Sequence, residues 1–297
     1  MRAILDAEVC QLEITNNCMN QCSNCTRLCG HHAKPYYMDF EVFKNAVDSM
    51  DGYPKHVGMM GGEPLLHPEF EKFCEYFRTK VPKERAGLWT CLPKGKEHYR
   101  ESIVNTFGHI FINDHTRNDI LHAPVLVASE EVDLQGWLKD YLINKCWVQN
   151  TWSPCVNTKG AWFCEVAGAL AELLDENELG WKVEPYWWTR SPQHFLKQMK
   201  MCHYCGCAMP LKKRCSTDIV DDISPKMFDK IKATSPKIKK KKYVLHDGSV
   251  YEDKGQVATY KDQSYRDAIA KRYGMFLVLN EQGYLTPHLL RNWKKEN

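Results

Sequence analysis

Cys18, Cys22 and Cys25 stand in a C-x3-C-x2-C spacing on one short polar stretch. Three thiolates this close can bind three corners of an iron–sulfur cube, leaving the fourth iron open to a small chelating molecule. The spacing also suits a zinc knuckle, with Cys29, His31 or His32 as fourth ligand. A second segment, Gly61-Gly62-Glu63-Pro64, joins two glycines to a carboxylate. Glycines let a ligand approach the backbone closely, and carbonyls here with Glu63 could receive an ammonium group. The plain alternative is a Gly-rich turn closed by proline. A further set, Cys146, Cys164, Cys202 and Cys205, contains a tight C-x2-C chelate and suggests another metal site. Cys155, Cys207 and Cys215 are surplus to it, and Cys202, Cys205, Cys207 and Cys215 could instead form a zinc ribbon.

The elements that must position these residues follow from periodicity. Val9–Thr15 alternates Cys10, Leu12 and Ile14 with Gln11, Glu13 and Thr15, which is strand spacing. A cysteine-rich loop spans 16–35. Phe40, Phe43, Val47 and Met50 recur at helical spacing. A short strand is expected at 56–60 and a helix at 68–81, where Phe70, Phe73, Cys74 and Phe77 share one face. Residues 86–92, His109–Asn113 and 124–129 read as further strands. Residues 99–107 and 134–143 read as helices, the second with Leu134, Trp137, Leu138, Tyr141 and Leu142 on one face.

Strands alternating with helices imply parallel βα units. The expected fold is α/β, a partial TIM-like (β/α)6 barrel, with its chemistry in loops after the strands. Both motifs lie in such loops. After Cys146 the pattern changes. A hairpin is expected at 154–164, with Val156 and residues 161–163 flanking a turn at 157–160, and an Ala- and Leu-rich helix at 165–174. This reads as a small Cys-rich hairpin-helix domain. The expected division is 1–145, 146–215 and a C-terminal extension, 216–297, with a short helix and strand at 265–279. Residues 237–242 hold five lysines and read as a solvated face. The run Tyr186-Trp187-Trp188 reads as core packing beneath the Cys-rich domain, or as a substrate mouth.

The hydrophobic share of 43% over 297 residues permits a real core. The net charge of +3 does not by itself imply a nucleic-acid or acidic partner. No apolar run reaches the length of a membrane span, so no membrane association is expected. Residues 1–17 mix charges with apolar positions, unlike an export signal, so a cytoplasmic location is expected. A reducing cytosol disfavours structural disulfides. The 14 cysteines then point to metal, cluster or redox chemistry, apart from Cys10, Cys74 and Cys91, which read as small hydrophobes.

C-x3-C-x2-C after a first strand, then Gly-Gly-Glu-Pro after a second, resembles the radical S-adenosylmethionine (SAM) superfamily over about residues 8–145. The resemblance implies that Cys18, Cys22 and Cys25 ligate a [4Fe–4S] cluster and that SAM chelates its fourth iron through amino and carboxylate groups. It implies that Gly61, Gly62 and Glu63 bind the methionine amino group. One electron from the cluster would break the C5′–S bond and give a 5′-deoxyadenosyl radical that abstracts hydrogen. The sequence departs at Asn24, where the family is often aromatic. Asn113, Asp114 and His115 end the fourth strand and Ser129 the fifth. They could touch ribose, SAM carboxylate or substrate, and could equally be loop residues.

The second cysteine set is similar to the SPASM/twitch extension of that superfamily. This implies an auxiliary [4Fe–4S] cluster on Cys146, Cys164, Cys202 and Cys205, although Gly160 precedes Cys164 by one residue fewer than usual. A twitch-type resemblance implies oxidation of a sugar-like or cyclitol alcohol, and a SPASM-type resemblance implies modification of a peptide side chain. The first strand begins almost at once, without a recognisable peptide-leader module, which favours a small molecule. The implied redox partner is a low-potential donor of the flavodoxin or ferredoxin type. A reading of another class is a zinc-stabilised protein whose lysine run contacts RNA or DNA. A third is a radical SAM enzyme acting on a nucleotide or nucleic acid. The charge balance and the Gly-Gly-Glu-Pro segment argue against a nucleic-acid binder.

Overall fold

Val9–Thr15 forms the expected strand, but all seven of its residues are buried. A strand inside a parallel sheet is covered on both faces, so Gln11, Glu13 and Thr15 have no solvent side. The computed structural model describes residues 1–113, 115 and 120–251, and the backbone of Met275–Leu277. In chain order β1 (Val9–Thr15), α1 (Phe40–Asp48), β2 (His56–Gly61), α2 (Phe70–Lys80), β3 (Ala86–Thr90), α3 (Arg100–Thr106) and β4 (His109–Asn113) come first. The short β5 (Leu121–His122) and α4 (Gly136–Asn144) lead to a hairpin of β6 (Cys155–Asn157) and β7 (Gly160–Trp162), then α5 (Glu165–Leu173). β8 (Arg214–Cys215), β9 (Asp221–Ile223), α6 (Pro225–Ile231), α7 (Pro236–Lys239), β10 (Tyr243–Leu245) and β11 (Met275–Leu277) follow.

One sheet has the order β11-β4-β3-β2-β1-β6-β7. β1 to β4 are parallel, and β6 is parallel to β1 on its other side. β7 and β11 pair antiparallel to their neighbours. The hairpin that opens the Cys-rich region therefore extends the main sheet. Gly160 makes its turn at φ +131°, where a Cβ would stand 2.5 Å from the Trp181 carbonyl oxygen. Helices α1 and α2 pack through Phe43 and Phe73, stacked at 4.1 Å between ring centroids. One buried apolar cluster runs through the chain from Ile4 to Ile238.

Among the described residues five strands of this sheet run parallel, β1 to β4 and β6, where six βα units were expected. The apolar run at 124–129 is buried as expected, yet it forms only a single bridge, Leu126 to Ile223. Its backbone bonds go elsewhere. The Val125 carbonyl accepts from Gly206 N–H and the Ala128 N–H donates to Ser224. A short apolar run does not distinguish a strand from a buried connection. Trp137 and Tyr141, expected to share one face of this helix, are exposed on α4. Trp187 and Trp188 are buried, but against α1, with both indole N–H groups donating to Ser49. The helix and strand expected at 265–279 lie outside the described residues except for β11.

Candidate functional site

Thr15, Gly61, Thr90 and Asn113 end four neighbouring parallel strands. The segments that follow line a cavity of about 170 Å³. Open α/β sheets bind ligands in this position, outside the carboxyl ends of their strands. Cys18, Cys22 and Cys25 line the cavity, and so do Gly61, Gly62, Glu63 and Asn113.

The two glycines are needed because chain meets chain. A Cβ on Gly61 would stand 2.0 Å from the Thr15 carbonyl oxygen, and one on Gly62 would stand 2.2 Å from that of Asn17. The approach lets Gly62 N–H donate to Thr15 and Glu63 N–H to Asn17, each at 2.7 Å. The ledge is thereby joined to the start of the cysteine loop. Glu63 is buried and accepts from Leu65 N–H, the Thr90 hydroxyl and Cys91 N–H at 3.0, 2.7 and 2.8 Å. Burial raises its carboxyl above the usual range, and these donors oppose that rise. Cys91 is not a core hydrophobe. It follows β3 in the cavity lining, its N–H donating to Glu63 and its thiol facing Met19 Sδ at 3.9 Å.

The cysteine loop is held from behind. Asn24 adopts φ +50° and turns its side chain away from the cavity toward β9, donating to Asp222 at 2.8 Å and accepting from Asp222 N–H at 2.9 Å. An asparagine tolerates this left-handed conformation and supplies both bonds, which accounts for a non-aromatic residue here. Asp221 is a hub. It accepts from Asn24 N–H, from His31 Nε2 at 2.6 Å and from Lys237 Nζ at 2.8 Å. Burial opposes its charge, but His31 and Lys237 hold its carboxyl below the usual range. Lys237 Nζ also donates to the Cys22 carbonyl at 2.9 Å. The lysine run is thus not uniformly solvated. Lys237 is buried, while Lys239, Lys240 and Lys241 are exposed. His31 is committed to Asp221 and Ser235, so it does not face the thiols. Burial lowers His32 to about 4.

Arg27 forms a second buried junction, in the cavity lining. Its guanidinium meets Glu165 on two arms at 2.8 Å and Glu13 at 3.0 Å, and donates to Gln11 at 2.6 Å. Burial opposes the charge, but the two carboxylates keep Arg27 protonated. Burial lifts Glu13 to about 7 against the pull of Arg27.

Cys146, Cys164, Cys202 and Cys205 line one smaller cavity, joined by Cys207. Burial and the neighbouring thiols Cys164, Cys205 and Cys146 raise Cys202, whereas hydrogen bonding from Cys207 lowers Cys205. Cys207 N–H also points at the Cys205 sulfur, at 3.4 Å. Cys207 lines the larger cavity too. Cys155 lies in β6 against Glu13, and Cys215 lies in β8 beside Leu121, so neither lines the smaller cavity. A ribbon that includes Cys215 is therefore not assembled. Ser129 does not line the larger cavity. Its hydroxyl donates to the Cys202 carbonyl at 3.0 Å and so positions the second cysteine set. His115 lines the larger cavity, and Asp114 lies outside the described residues.

Among the described residues no helix is long and apolar enough to cross a membrane. No protein-family model matches the chain. No curated protein matches it. Among solved structures it is similar to BtrN in complex with AdoMet and 2-DOIA, with a TM-score of 0.42 and 12% identity over 66% of this chain and 88% of that one. It is also similar to BtrN in an open conformation, with a TM-score of 0.38 and 14% identity over 67% and 87% of the two chains. At TM-scores this low the likeness assigns neither fold nor function.

Proposed function

We propose that the chain is a radical SAM enzyme, with a [4Fe–4S] cluster on Cys18, Cys22 and Cys25 and SAM beside the Gly61-Gly62-Glu63 ledge. The observation that carries this is the shared cavity. Three thiols from one loop and a glycine-built ledge from the next strand face the same space at the strand ends.

The donor set fits. A single zinc draws its thiolates onto one centre at about 2.3 Å. Among the described residues no three His, Cys, Asp or Glu side chains are placed to hold one metal ion. A cube carries its ligands on separate corners, and three cysteines lining one cavity can supply three of them. When bound, the cluster would supply one electron to the SAM sulfonium.

The chain's own residues do the rest. Glu63 has about four acceptor sites, and its donors are the Leu65 and Cys91 N–H groups and the Thr90 hydroxyl. These three donors leave about one acceptor site for an arriving ammonium group. Trp89, Trp147 and Trp152 wall the cavity and keep water from the reacting carbon. Arg27 and Glu165 offer a polar anchor for a substrate hydroxyl or carboxylate. The substrate is a small alcohol of the sugar or cyclitol kind, or else a peptide side chain. The second set, Cys146, Cys164, Cys202 and Cys205, holds an auxiliary [4Fe–4S] cluster. Electrons enter from a low-potential flavodoxin- or ferredoxin-type donor.

The test is iron and sulfide analysis after anaerobic reconstitution, with EPR before and after SAM. About eight irons per chain and a spectrum altered by SAM support the reading. The Cys18/Cys22/Cys25 triple alanine variant should lose about half of that iron. Iron content unchanged in that variant contradicts it.

A further inference from the structure

Resting on that reading of the first site, we propose that Lys239, Lys240 and Lys241 form the docking surface for an acidic, low-potential electron-transfer protein, which reduces the first cluster from outside the cavity. The three lysines are exposed and make no ion pair among the described residues. Lys230 and Lys232, on and just after α6, are exposed as well. Asp229 is the one acidic residue between Lys226 and Lys242. The whole chain carries only +3, so this concentration of positive charge is local. A field of one sign steers a partner of the other sign and sets its orientation.

The patch is built against the cysteine loop. α7 packs on the turn Cys29–His31, and the His31 ring is joined to Ser235 at the start of α7. Lys237 Nζ donates to the Cys22 carbonyl at 2.9 Å, so one hydrogen bond links the lysine run to a proposed cluster ligand. No residue from 226 to 242 lines the cavity. An electron carrier seated here therefore reaches the loop without displacing SAM or substrate.

The lysine turn is also held in one shape. Ile238 is buried, and its carbonyl accepts from Lys241 N–H at 2.8 Å. Lys242 N–H donates to the Lys237 carbonyl at 3.0 Å. Lys241 sits at φ +55°, a left-handed conformation uncommon outside glycine. A merely solvated run needs no such anchoring. Val244 and Leu245 follow on β10 and are exposed. Lysines beside aliphatic side chains suit an acidic protein face better than a phosphate chain, and a nucleic acid held here would lie away from the cavity.

The step moves one electron. The reduced partner loses it, the oxidised cluster gains it, and no bond or proton changes place.

The experiment uses the anaerobically reconstituted full chain with SAM and a reduced acidic flavodoxin, and reads the initial rate of 5′-deoxyadenosine formation. Wild type is compared with Lys239→Glu/Lys240→Glu/Lys241→Glu and with a charge-matched control, Lys83→Glu/Lys182→Glu/Lys197→Glu, made at exposed lysines elsewhere. At about 0.01 M ionic strength, where charges are felt over about 30 Å, the patch variant should be several-fold slower at sub-saturating flavodoxin and the control close to wild type. At about 1 M, where the range falls to about 3 Å, the gap should close. With dithionite, a small reductant that needs no docking surface, all three should run equally. Equal flavodoxin-driven rates in wild type and patch variant, zero included, overturn the docking surface and leave the cluster reading standing. An equal fall in the control overturns it too. So do unchanged rates alongside a single-stranded RNA oligonucleotide that binds wild type and not the patch variant. No deoxyadenosine from wild type with dithionite overturns the reading of the first site itself.

Discussion

The Arg27 guanidinium and the Glu165 carboxylate meet fork to fork, with both arms at 2.8 Å and both side chains buried. Arg27 belongs to the first cysteine loop, and Glu165 directly follows Cys164 of the second set. One ion pair thus joins the two cysteine-bearing segments across the cavity. Breaking a buried pair leaves an uncompensated charge and costs about 3–5 kcal/mol. Glu165→Ala should therefore lower the denaturant midpoint sharply and reduce iron retention at both sites, with Glu165→Gln milder. A midpoint within error of wild type would show that the pair does not hold these segments together.

Lys237 separates sharply from its neighbours. It neutralises Asp221 and carries the Cys22 carbonyl. Lys237→Met should destabilise the fold by about 3 kcal/mol or more and loosen the first loop, seen as faster iron loss to a chelator. Lys239→Glu, Lys240→Glu and Lys241→Glu should each stay within about 0.5 kcal/mol. Equal effects across the run would restore the view of it as one solvated face.

Gly62→Ala must push a Cβ against the Asn17 carbonyl oxygen, 2.2 Å away. The ledge and the cysteine loop then have to separate. Overpacking of this kind costs about 1–3 kcal/mol, and SAM binding, measured by calorimetry, should weaken at least several-fold. Unchanged SAM affinity in a folded Gly62→Ala protein would remove the ledge from the site.

Burial lifts Glu172 to about 7, opposed by Lys159, from an ordinary value of 4.5. The fold therefore favours the protonated acid. Folded and unfolded chains are both protonated below about 4.5 and both ionised above about 7, so stability falls as pH rises through that window. Glu172→Gln should match wild type in urea midpoint near the lower limit and exceed it at pH above the upper one. Equal midpoints at both would place the carboxyl in water.

Much of this was legible because local pattern and final environment agree. β1 has the bounds its alternation indicates, β4 has the bounds expected for it, and the glycine ledge begins at the last residue of β2, one residue earlier than expected. The Arg27 junction was not legible as such. Gln11 and Glu13 occupy the polar half of an alternating strand, which normally marks a solvent face, and only the cover over a parallel sheet turns them inward. Lys237 was hidden for the opposite reason, because its partners Asp221 and Cys22 come together only through tertiary structure. A faint signal existed in Ile238, an apolar residue that interrupts the lysines and is itself buried. His31 matched a metal-ligand spacing but found a carboxylate instead. Residues 124–129 show the limit of apolar runs, since burial without a free strand edge gives a buried connection.

The most direct test of the central claim is SAM cleavage. The anaerobically reconstituted protein is reduced with dithionite, given SAM and assayed for 5′-deoxyadenosine, beside the Cys18→Ala, Cys22→Ala and Cys25→Ala variants. Deoxyadenosine from wild type and none from the three variants is the expected result. Its absence from a wild-type protein that carries iron and sulfide, or its persistence in the variants, would contradict the assignment of the first cysteine loop.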